Sequence, residues 1–117
     1  MKKIIGIIIA FTFAFVLVSC GSSKPNSMTQ KTYDNGCHAL EIMEKYNDME
    51  ISADEAETRL QGIYDSLDAE YYTLSDTLES SENLIIKLDV SFFITALHGT
   101  AGSTYEQEDE LREHLGK

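Results

Sequence analysis

Ala56, Leu60, Ile63, Leu67, Tyr71, Leu74 and Leu78 follow one another at spacings of 4, 3, 4, 4, 3 and 4, the recurrence of one buried stripe on an α-helix. Ser52 and Glu55 form a capping-box pair just ahead of the stripe, so a helix is predicted to open there. Gly62 weakens it by about 1 kcal/mol relative to alanine. Ser75-Asp76 can interrupt it, so the run is either one long rod or a rod with a break. Upstream, between Asp34 and Asp48, Cys37, Leu40, Met43 and Tyr46 line one stripe with Ala39 and Ile42 beside it, opposite Glu41, Glu44, Lys45 and Asp48. A short helix is predicted from Thr104 to Leu115, opened by Ser103 with Glu106 as a second capping-box pair and carrying Tyr105, Leu111 and Leu115.

Residues 84–97 fit two periods. Apolar side chains fill every even position from Leu84 to Ala96, as in a strand, while a helical wheel gathers Asn83, Lys87, Ser91, Thr95 and His98 on one polar side. Helix is the better reading: fourteen residues is long for a strand, no partner strand is evident, Ser81 can cap the start and Gly99 suits a left-handed position past the end. With ten apolar residues in fourteen, this helix is expected at the centre of the fold. Asp89 is then the one charged residue on its apolar side, flanked by Ile85, Phe92, Phe93 and Ala96. A carboxylate there needs a donor, such as a tyrosine hydroxyl or Arg59, or its pKa rises by desolvation. As a strand residue, Asp89 would face solvent. The fold class expected is therefore all-α, a small antiparallel bundle of three to four helices over residues 33–117.

The chain opens differently. Met1-Lys2-Lys3 is a positively charged start, Ile4 to Val18 an apolar run of fifteen residues, and Ser19 a small residue just before Cys20. The run is short for a membrane span. Leu17-Val18-Ser19-Cys20 in this setting resembles the lipobox of bacterial lipoproteins, and the resemblance covers residues 1–23 only. It implies a signal peptide at 1–19 that is cut off, a covalent lipid on Cys20, and a protein held on the extracytoplasmic face of the bacterial cell membrane, or on an outer membrane where the host has one. Two or three acyl chains anchor far more firmly than one. No other cofactor is expected.

Gly21 to Thr32 contains the only proline and almost no apolar residue, so residues 20–32 are expected to be the lipidated cysteine and a flexible linker. The formal net charge of the whole chain is −11, and losing Lys2 and Lys3 with the signal brings it to −13. Such acidity argues against nucleic acid or an anionic lipid surface as partner and allows cationic peptides, basic proteins or divalent ions, although solvated carboxylates that serve solubility alone are the simpler reading. Of the two cysteines, only Cys37 remains once Cys20 is lipidated; it lies on the buried side of its helix, and His38 next to it points about 100° away, which disfavours a dyad.

No residue set here assembles a catalytic centre, so no enzyme is expected. His98 and His114 sit in last turns of helices, where they suit the helix dipole. No metal ligands are predicted: no histidine pair has ligand spacing, and Glu106 to Glu110 lacks the alternating calcium-loop pattern. Tyr71 continues the core stripe and turns Tyr72 outward as a candidate partner contact, with Asp89 as the second candidate contact. The function expected is a membrane-anchored module for a protein or peptide partner; the alternative is a lipoprotein that binds a small solute or divalent cation.

Overall fold

The structure is a computed structural model that describes residues 24–25, 27–99 and 102–117; the apolar opening run and Cys20 lie outside the described residues. Each helix begins at a side chain able to accept from the exposed backbone N–H groups of its first turn. Thr29 caps α1 (Gln30–Asn47) through the Thr32 N–H at 3.0 Å. Ser52 caps α2 (Ala53–Tyr71) through Glu55 N–H. Asp76 caps α3 (Thr77–Leu97) by accepting from both Leu78 and Glu79, and Ser103 caps α4 (Thr104–His114). No strand occurs among the described residues. α1 and α3 each touch every other helix and form the central pair; α2 and α4 flank them and do not meet.

The core is the predicted stripes of α1 and α2 closed over by α3 and α4. Cys37, Ala39, Leu40, Ile42 and Met43 of α1 and Ala56, Leu60, Ile63 and Leu67 of α2 are buried together with Ile86, Val90 and Phe93 of α3 and Leu111 and Leu115. Tyr46 meets Phe93 edge to face, with ring centroids 6.0 Å apart, an arrangement that aligns ring edge with ring face. Gly36 of α1 makes room for the C-terminal side of α4: a β-carbon there would stand 2.7 Å from Leu115 Cδ2.

Three sequence expectations are corrected, and one alternative left open is decided. The linker does not extend to Thr32, because Met28 and Thr32 are buried and α1 starts at Gln30 rather than near Asp34. Of the two alternatives for the long run, the rod with a break is the one present: α2 ends at Tyr71, and Leu74 and Leu78 leave its stripe because Asp76 starts a new helix. α3 accordingly opens at Asp76, not Ser81. The third correction concerns which face α3 buries. Asn83 and Lys87, expected on the polar outer side, are buried, whereas Leu84, Leu88 and Phe92 are exposed. The left-handed backbone expected at Gly99 is present, at φ +71°.

Candidate interaction surface

The orientation of α3 follows from its polar residues. At one edge of its buried stripe, Asn83 Nδ2 donates to Thr32 Oγ1 at 3.1 Å and to Glu70 Oε1 at 3.2 Å. Thr32 Oγ1 donates to the same carboxylate at 2.6 Å, and Thr29 Oγ1 to its other oxygen at 2.8 Å. Three side chains, Thr29 and Thr32 at the start of α1 and Asn83 of α3, thus satisfy the carboxylate of Glu70 on α2, a residue only 7% exposed. One turn on, Lys87 Nζ lies 2.9 Å from Asp68 Oδ1 and 4.6 Å from the centroid of Tyr71, an ion pair backed by a cation–π contact. At the opposite edge, Asp89 Oδ2 stands 2.5 Å from His114 Nδ1 of α4.

These contacts face α2 on one side and α4 on the other, so they fix the rotation of α3 about its own axis. The helix is apolar nearly all round, and burying Ile86, Val90 and Phe93 between the polar edges leaves its remaining apolar residues outside. Leu78 is 64% exposed, Leu84 37%, Leu88 42% and Phe92 50%. Ile85 is half-buried among them. From Asn83 to Leu97 the outward side carries no charged residue, since Lys87 and Asp89 are both turned inward. The other helices differ: α2 shows Asp54, Glu55, Arg59 and Asp65 to solvent, and α4 shows Glu106, Asp109, Glu110 and Glu113. An apolar outward face without charge from Asn83 to Leu97, on a chain this acidic, makes the strip a candidate contact surface.

Tyr72 is 78% exposed at the C-terminal cap of α2, its ring edge-on to Tyr71 at 5.5 Å between centroids, so its outward placement agrees with the sequence reading. Asp89 does not lie at a contact surface. It is 3% exposed and turned to His114, not to Arg59, which pairs with Glu55 on the surface of α2. Burial pushes the Asp89 carboxyl above the usual carboxylate range, and the hydrogen bond and charge of His114 oppose that shift. His98 reaches across to Glu57 at 3.0 Å.

The Glu70 cluster and the outward strip were both missed by the sequence reading. Their one signal in the chain was the i, i+4 pair Asn83 and Lys87 in an otherwise apolar helix. Among the described residues no group of three or more His, Cys, Asp or Glu side chains is placed to hold a metal ion, and no helix is long and apolar enough to cross a membrane. The chain matches no protein-family profile, no curated protein and no solved structure.

Proposed function

We propose that this chain is a lipid-anchored extracytoplasmic protein that acts as a protein-interaction module, using the outward strip of α3 to hold its partner close to the membrane. One observation carries the second half of that reading: the strip of Leu84, Leu88 and Phe92, extended at its start by Leu78, is open and apolar, and from Asn83 to Leu97 it is free of outward charge, on a chain of net charge −11. Helical bundles receive partner segments along such faces, and a lipid anchor raises the local concentration of anything held in the same plane. The anchor rests on the lipobox-like run ending at Cys20.

Two experiments test the two halves. Mass analysis of the protein from a membrane fraction is expected to find a chain beginning at Cys20 with acyl mass added, and Cys20→Ala to leave an uncut chain without it. An uncut, unacylated wild-type chain would remove the anchor. A photo-crosslinking residue at position 88 is expected to capture a protein in the intact cell, and the same residue at Gln61, on the exposed side of α2, to capture none. Equal capture at both positions would remove the assignment to α3.

A further inference from the structure

We infer that the outward strip of α3 is the contact between two copies of this chain, packed antiparallel about a two-fold axis that passes between Ile85 and Leu88. This names the partner of the surface proposed above and rests on that reading. Leu78, Ser81, Ile85, Leu88, Phe92 and Thr95 run along α3 at spacings of 3, 4, 3, 4 and 3, the seam of a two-helix coiled coil rather than of a globular helix. Their outward position is set by the Asn83, Lys87 and Asp89 contacts on the other side of the helix.

The seam complements itself in only one direction. Antiparallel pairing sets Leu78 opposite Thr95, Ser81 opposite Phe92 and Ile85 opposite Leu88, so each large end residue meets a small one. Parallel pairing would set Phe92 against Phe92 and Ser81 against Ser81, a crowded layer and an empty one. Charge selects the same arrangement. Asp76 and Glu79 at the start of α3 come beside the partner copy's last turn, Ile94–Leu97, which holds no carboxylate, and the two helix dipoles oppose. Parallel pairing would stack the acidic first turns on each other. The acidic outer sides of α2 and α4 repel a second copy, whereas from Asn83 to Leu97 the outward side of α3 sets no carboxylate against one, and Glu79 and Glu82 at its start meet the carboxylate-free last turn of the other copy.

The size of the strip sets the strength of the contact. The open parts of Leu78, Leu84, Leu88 and Phe92 amount to roughly 400 Å² on each copy, about half of what each partner gives to a standard interface. The pair is therefore weak in dilute solution and fills where copies share a surface, as a common lipid anchor provides.

The test uses the full chain in its host membrane with photo-crosslinking residues at positions 81 and 88, read by mass and by mapping the joined peptides. The expected product has twice the chain mass, position 81 joining the peptide around Phe92 and position 88 the peptide around Ile85. Leu88→Glu, an exposed change that leaves the helical circular dichroism intact, is expected to cut the yield from position 81 about tenfold. Products joining position 81 to 81 would overturn the antiparallel pair. Adducts only to a different protein would overturn the second copy while leaving the interaction module standing, and adducts only to lipid, or none from a folded chain, would overturn both.

Discussion

Asp89 of α3 and His114 of α4 meet at 2.5 Å, with the carboxylate side chain 4% exposed and the imidazole 36% exposed. The pair is an inward acid stabilised by a partner that stays half in water. It attaches α4 to the central helix beside the buried Phe93 of α3 and the buried Leu111 and Leu115.

The pair makes stability depend on pH in a direction that can be stated. An acid whose folded-state pKa is raised favours folding most when protonated; its contribution is complete below the unfolded value, near 3.8, and is lost as pH rises through the folded value. Relative to Asp89→Asn, the parent chain is expected to lose stability as pH rises through that window and to run parallel above it. Urea midpoints of both chains from acid to neutral pH check this, and curves that stay parallel throughout would refute it. His114→Ala leaves the carboxylate buried without its imidazole and is expected to cost about 2 kcal/mol at neutral pH.

Glu70→Ala removes the acceptor for Thr29, Thr32 and Asn83 together, stranding donors at the junction of α1, α2 and α3. The expected loss is about 3 kcal/mol, with Glu70→Gln losing less because it keeps one oxygen in place. Equilibrium unfolding in urea measures both; a loss no larger than that of an exposed-site substitution would show that water replaces the carboxylate without penalty.

Met49 ends α1 in the left-handed region, at φ +64°, with Glu50 N–H bonding to Lys45 O and Met49 N–H to Tyr46 O. This is the hydrogen-bond pattern of a helix terminus that favours glycine. Its side chain is 89% exposed and contributes little packing. Met49→Gly is expected to raise stability by about 1 kcal/mol, seen as a higher thermal midpoint, whereas an unchanged or lower midpoint would mean that the methionine side chain contributes more than its exposure suggests.

Gly36→Val is expected to destabilise the bundle by about 2 kcal/mol, because the added carbons overlap Leu115 Cδ2 and crowd Ile86 Cγ2, 3.3 Å from the β-carbon position. Gly36→Ala is expected to change stability little, its helix propensity offsetting a smaller shift of Leu115. Thermal unfolding of the two variants side by side reads the contrast, and similar midpoints would show that α4 moves aside freely.

The all-helical class and the stripes of α1 and α2 were legible because each carries a polar face opposite an apolar one, so the period alone chooses the buried side. The caps at Ser52 and Ser103 and the glycine at Gly99 were legible because their chemistry is local. α3 was not, and the reason is physical: a helix apolar on both sides has no preferred face until its few polar residues find partners. Asn83 needed Glu70, Lys87 needed Asp68 and Asp89 needed His114, between 13 and 25 residues away, and nothing in the local pattern pairs them. His114 suited the end of α4 on local grounds, which hid its longer-range use. The same blindness concealed the candidate surface, since the outward strip is what remains once those three pairings are made.

Leu111 and Leu115 complete the burial of α1, with Leu115 against Gly36. As the chain is synthesised, the first helix therefore waits for the fourth before its apolar face is covered, and pairings across so long a separation close late. Until α4 has been made that face stays partly open, and the contact that closes the bundle is completed only by the last helix of the fold.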